Sequence, residues 1–139
     1  MRQLLLEEPF DAKFDADQVS HIDAVREVIL DYVRSAHSGD IELLTAIFHA
    51  DARMYGFLNG DATNVPISEF IDMVKGFTAP AQSGEPYRAT IASITVHGSI
   101  AVADLREVNY QGMDFIDVFS LLRTGDRWQI VTKCYQQLR

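Results

Sequence analysis

The chain has 139 residues, 47% of them hydrophobic, which is the size of one ordinary domain with enough apolar material to bury a core without metals or disulfides. Twenty acidic against twelve basic residues give a formal net charge of −8, which repels phosphate backbones and anionic lipid and speaks against nucleic-acid and membrane partners. A lone cysteine, Cys134, excludes an internal disulfide scaffold and points to a reducing, cytoplasmic setting.

Residues 1–19 combine Leu4-Leu5-Leu6 with Pro9, Asp11, Asp15 and Asp17 and follow neither a helical nor an alternating period. They read as an N-terminal arm, disordered or packed through Leu4 to Leu6 and Phe10, ahead of a domain spanning 20–139. The leucine run is too short for the core of a signal peptide, and no later run is long enough to cross a bilayer. From Ser20, an expected N-cap, apolar residues recur at Ile22, Val25, Ile29, Tyr32, Val33 and Ala36, the spacing of a helix with one buried stripe. Gly39 ends it, and Asp40 caps a short second helix with Leu43, Leu44, Ile47 and Phe48 as its apolar face.

Ala52 to Leu58 reads as a strand that reverses at Asn59-Gly60 into Asp61 to Val65. Pro66 and Ser68 open a third helix carrying Phe70, Ile71, Val74 and Phe77, and Gly76 to Gly84, with Pro80, is expected to be a loop. The rest predicts a meander of strands over 86–97, 100–110, 113–123 and 127–137, turning at Gly98-Ser99, Gln111-Gly112 and Gly125-Asp126. Strands this long must twist and bend, so helices laid across them leave a cone lined from both sides, a natural site for a small molecule.

That order of elements resembles the nuclear transport factor 2-like superfamily. Ser38-Gly39-Asp40, Phe48-His49-Ala50-Asp51-Ala52, Ser68-Glu69-Phe70-Ile71, Phe115-Ile116-Asp117-Val118 and Trp128-Gln129-Ile130-Val131-Thr132-Lys133 are similar to its putative lumazine-binding subfamily, over about residues 20 to 138. The resemblance implies an α+β, cone-shaped roll of three N-terminal helices packed on a strongly curved, mainly antiparallel mixed sheet, and in many members a homodimer. The superfamily holds isomerases, cyclases, epoxide hydrolases and dehydratases beside non-enzymatic binding proteins, so the fold alone does not choose the chemistry.

Tyr32 falls where the resemblance to ketosteroid isomerases places an oxyanion-hole tyrosine, but the position that would carry their proton-moving carboxylate is Gly56, so isomerisation by that route is not expected. The plainer reading of Tyr32 is a core aromatic. His49, next to Asp51 at the mouth of the first strand, is a candidate proton-transfer residue; alternatively both bond to the local backbone. Asp117 shares a strand face with Phe115, Phe119 and Leu121, while Ile116, Val118 and Leu122 fill the other, so both faces are largely apolar. A carboxylate there needs a partner or a raised pKa, with Lys133, Arg123, Arg106 and Arg88 as candidate partners, and belongs either to a pocket or to a structural ion pair.

If Asp117 faces the cone, Tyr55, Phe57, Phe119, Trp128 and Tyr135 are candidates for its ligand-binding wall, or else simply core. Asp104 and Arg106 lie two apart on one strand face, as any solvated charge pair can. Scattered histidines and absent glycine loops or nucleophile elbows imply no metal or cofactor, and Cys134 is expected to be a small buried hydrophobe. The leading functional expectation is therefore a pocket protein, homodimeric, binding an apolar or heteroaromatic small-molecule ligand. The alternatives are an acid/base enzyme (isomerase, cyclase or dehydratase) using Asp117 and His49, and a dimerisation or accessory interaction module.

Overall fold

The computed structural model describes residues 16–139. Helix α1 (Ala16–Ser38) buries Val25, Ile29, Tyr32 and Ala36 as one stripe, with Ile22 and Val33 packed at its edges. It begins four residues ahead of Ser20, because the Gln18 side chain donates to the carbonyl of Val96 at 3.2 Å and ties the first turn to the sheet. Residues 16–19 thus join the helix rather than the expected arm, the remainder of which lies outside the described residues.

Gly39 takes the left-handed conformation that ends α1, and Asp40 caps α2 (Ile41–Ala46) by accepting from the Leu43 amide at 3.0 Å. Phe48, expected on α2, instead starts strand β1 (Phe48–Leu58), since it pairs with Ile130, whose amide donates to the Ile47 carbonyl at 2.9 Å. β1 turns at Asn59-Gly60 into β2 (Asp61–Pro66), and α3 (Ile67–Lys75) follows with Ile67, Phe70, Ile71 and Val74 buried. Within the expected loop, Pro80 opens a single turn, α4 (Pro80–Ser83), that left-handed Gly84 closes.

β3 (Arg88–His97), β4 (Ile100–Tyr110), β5 (Met113–Thr124) and β6 (Arg127–Gln137) form the meander. The six-stranded sheet runs β2-β1-β6-β5-β4-β3, antiparallel throughout except where β1 lies parallel to β6. The architecture is thus α+β, with helices on one face of a mixed, mainly antiparallel sheet. α1 packs on β3, β4 and β6 and α3 on β1 and β2, so one sheet face carries the core. Irregularities between Ile91 and Ser93, Glu107 and Tyr110, and Ser120 and Leu121 let the long strands bend around the helices. Among the described residues no helix is long and apolar enough to cross a membrane.

The opposite, outer face is also apolar. Ile100, Val102, Val118, Leu122, Tyr55 and Phe57 are exposed there, and Val118 pairs with Cys134, which in turn pairs with Tyr55. Cys134 is therefore exposed, not buried as expected: strand alternation sends its neighbours Lys133 and Tyr135 inward.

Candidate active site in the inner cavity

Strand alternation places Ala101, Ala103, Leu105 and Glu107 of β4 and Phe115, Asp117, Phe119 and Leu121 of β5 on the inner face. Leu105 pairs with Asp117 and Glu107 with Phe115, so the two carboxyls are diagonal neighbours. Asp117 pairs with Tyr135 on β6 and Phe119 with Lys133, which sets Lys133 diagonally on the other side of Asp117. Three ionisable side chains on three consecutive strands thus converge beneath α1 and α3.

All three are buried: Glu107 is 3% exposed, Lys133 5% and Asp117 0%. Lys133 Nζ stands 3.6 Å from Asp117 Oδ1, an ion pair too long for a good hydrogen bond, and both Asp117 oxygens lack a conventional donor. The ammonium lies 4.3 Å from the Phe70 ring centre, 4.8 Å from that of Tyr135 and 5.8 Å from that of Tyr32, so aromatic faces replace part of its hydration. Tyr87 donates its hydroxyl proton to Glu107 Oε2 at 2.6 Å.

Burial, then the charge of Asp117 and a hydrogen bond to it, hold the Glu107 carboxyl well above its ordinary range, against the opposing pull of Lys133 and Tyr87. A proton on Glu107 is the donor that Asp117 otherwise lacks. The site is then one carboxylic acid, one carboxylate and one ammonium, which balances charge where a second carboxylate would have no counter-ion. Burial first, and Glu107 next, also push the phenols of Tyr32, Tyr87 and Tyr110 upward, so they remain protonated donors.

The raised carboxyl has a measurable consequence. In the fold Glu107 keeps a proton that the unfolded chain loses above its ordinary pKa of 4.5. Its contribution is complete below that value and is lost as pH rises through the folded value, at up to about 1.4 kcal/mol per pH unit. Glu107→Gln, which imitates the protonated acid, is expected to flatten this decline when urea unfolding is repeated from mildly acidic to alkaline pH.

Glu107 and Lys133 form the polar floor of a cavity of about 70 Å³ whose walls include Tyr32, Phe70, Phe77, Tyr110, Phe115 and Tyr135, with Asp117 buried behind that floor. Leu58, Met73 and Met113 complete it, and Met73 is partly exposed, giving the cavity an adaptable apolar rim. A carbonyl or similar polar group can meet the floor while an apolar remainder meets the walls.

Of the residues expected to act here, Tyr32 and Tyr135 line the cavity, and Asp117 lies behind its floor against Lys133 and Glu107. Phe119 is buried behind the cavity against Tyr32, with ring centres 4.9 Å apart, and Trp128 packs against His21 at 5.8 Å; neither lines the cavity. Tyr55 and Phe57 are not on its wall. They lie on the outer face in a groove with Ile116, Val118 and Cys134, because Met54, Gly56 and Leu58 are the residues of β1 that alternate inward. His49 is absent from the lining, and its Nδ1 accepts the Asp51 amide at 3.0 Å, the local backbone bond weighed above. Arg106 pairs with Asp104 outside the cavity, leaving Lys133 as the partner of Asp117.

Glu107 is the one charged residue of the site that the sequence analysis does not single out. Its signal was the alternation Ala101, Ala103, Leu105, Glu107, which puts a glutamate on a strand face otherwise made of small and apolar residues, whereas Asp104 and Arg106 hold the other face.

With this geometry in hand, the family model described as Putative lumazine-binding matches residues 20–136. The chain belongs to the putative lumazine-binding family. This member is also similar to solved proteins of the nuclear transport factor 2-like fold whose function is unknown. One from Shewanella baltica is 25% identical, with a TM-score of 0.80 over 90% of this chain and 99% of that one. Another, from Methylobacillus flagellatus, is 28% identical, with a TM-score of 0.80 over 91% and 97%. A curated protein, Aldolase FrzH from a Cladobotryum species, is 26% identical over 117 residues, 84% of this family member and 90% of its own length.

Proposed function

We propose that this protein is an acid/base catalyst working beside a carbonyl group, on a small, mainly apolar compound held in the inner cavity. The observation that carries this reading is the buried group of Glu107 and Lys133 at the floor of an apolar cavity with Asp117 directly behind them, a wholly buried carboxylate whose one donor is the proton on Glu107. Buried charges of this kind cost stability, and a base beside an acid is what proton transfer needs. The similarity to a protein called an aldolase supports the same class, since an aldol reaction begins with proton removal next to a carbonyl. In this reading Glu107, which lines the cavity, passes its proton to Asp117 behind it and as a carboxylate takes the carbon-bound proton, the Tyr32 hydroxyl donates to the carbonyl oxygen, and Lys133 draws electron density toward it.

The test is deuterium exchange at the α-carbon of butanone, cyclohexanone and phenylacetone in heavy water, followed by NMR. The protein is expected to accelerate exchange for at least one ketone, and Asp117→Asn to cut that rate by about a hundredfold. Exchange no faster than in buffer across all three would sink the proposal.

We further propose that the protein functions as a homodimer joined through its outer sheet face. Phe57 is 50% exposed, Tyr55 38%, Val118 37% and Leu122 43%, more contiguous apolar surface than a solitary sheet usually leaves in water. Light scattering is expected to give twice the chain mass for the wild type and the single mass for Val118→Asp; a monomeric wild type would end this proposal.

A further inference from the structure

We infer that Lys133 is a covalent nucleophile: its amine condenses with the carbonyl carbon of an aldehyde or ketone bound in the inner cavity, forming an iminium linkage to the chain. The inference rests on the proposed carbonyl substrate and goes beyond it by assigning a bond to a named atom.

Four features of the site lead here. Lys133 lines the cavity, so its Nζ can meet a bound compound. Its polar neighbours are distant ones, Asp117 Oδ1 at 3.6 Å and Met54 Sδ at 4.0 Å, so no short hydrogen bond immobilises the amine. The rings of Phe70, Tyr135 and Tyr32 surround it, and an amine held among apolar groups is the form in which lysine serves as an imine-forming nucleophile. Asp117 and Glu107 supply the acceptor and donor that condensation requires. Lys75, by contrast, is exposed and pairs with Asp72 on α3.

The steps balance. The ammonium of Lys133 passes one proton to the Asp117 carboxylate, freeing the nitrogen lone pair. That pair forms the N–C bond as the carbonyl π electrons move to oxygen, which takes a proton from Glu107, and nitrogen returns one to it. The resulting carbinolamine loses its hydroxyl as water with the proton of Glu107, which Asp117 replaces with the one it holds. Nitrogen closes the C=N bond and keeps one hydrogen and the positive charge. Ammonium and carbonyl compound become iminium and water, with no oxidant or reductant involved. The iminium would draw electrons from the adjacent C–H more strongly than the parent carbonyl, so Glu107, with Asp117 behind it as the proton acceptor, has an easier proton to remove.

The experiment incubates the full chain with acetylacetone, a diketone whose imine rearranges to a stable conjugated enaminone, and maps the mass gain of one diketone less one water onto Lys13, Lys75 and Lys133. Benzyl alcohol, an apolar probe that cannot condense, reports cavity binding through shifts of the aromatic NMR signals. The expected result is one adduct, on Lys133, with a near-ultraviolet band that is lost in Lys133→Arg and forms more slowly in Asp117→Asn. Benzyl alcohol binding with no adduct on Lys133, or with labelling no faster there than on Lys75, would overturn the covalent role and leave the acid/base reading intact. Absence of both adduct and benzyl alcohol binding would overturn the two together.

Discussion

Lys133→Met is expected to destabilise the folded chain by about 3–5 kcal/mol, although methionine has a similar length and suits an apolar wall. The loss arises from what remains. Asp117 is fully buried, its one donor is the proton on Glu107, and Lys133 at 3.6 Å is its counter-ion. Without that charge, Asp117 must either stay ionised in a poorly solvating cavity or take up a proton beside an already protonated Glu107, and each option costs free energy. Asp117→Asn in the same chain removes the stranded charge, so the double variant is expected to recover most of the loss. Urea unfolding of the wild type, both single variants and the double variant gives the coupling between the two positions. A single-variant loss below about 1 kcal/mol would mean that water reaches Asp117 and that the pair behaves like a surface one.

Gly56→Ala is the second large effect expected, about 3 kcal/mol or more, seen as a melting temperature lower by about 10 °C. β1 and β6 run parallel with Gly56 facing Tyr135, and a Cβ at position 56 would sit 2.2 Å from the Tyr135 carbonyl oxygen and 2.6 Å from its ring. The ring lies across the glycine to reach Thr63 on β2, with the two hydroxyl oxygens 2.7 Å apart. Any side chain must push the strands apart or expel the ring, and because the backbone is one of the clashing groups, trimming Tyr135 cannot fully relieve it. An unchanged melting temperature would show that β1 can shift away from β6 without loss. The same packing leaves no room for a side chain at position 56 on the inward face of β1, and the carboxyls of the site stand instead on β4 and β5.

Much of the architecture was legible because the signals are local. The stripe Val25, Ile29, Tyr32, Ala36 has helical spacing, Asn59-Gly60 supplies the positive φ of a tight hairpin, and Asp117 was conspicuous as a carboxylate on an apolar strand face. The errors occurred where distant pairing overrides local pattern. Phe48 follows the apolar spacing of α2 yet joins the sheet because Ile130 is there to receive it, and Tyr55 and Phe57 resemble pocket aromatics but alternate away from the cavity.

The sequence by itself determined the order of the elements, the hairpin positions and the two-faced character of β5, since hydrophobic period and turn chemistry act over a few residues. Only the tertiary structure decided that Glu107 would share a site with Asp117, that Lys133 rather than Arg106 would neutralise it, and that Tyr135 would fill the space above Gly56. Those outcomes depend on the register between strands distant in the chain and on how far the bulges bend them, and a one-residue slip in pairing would turn each of these side chains to the other face.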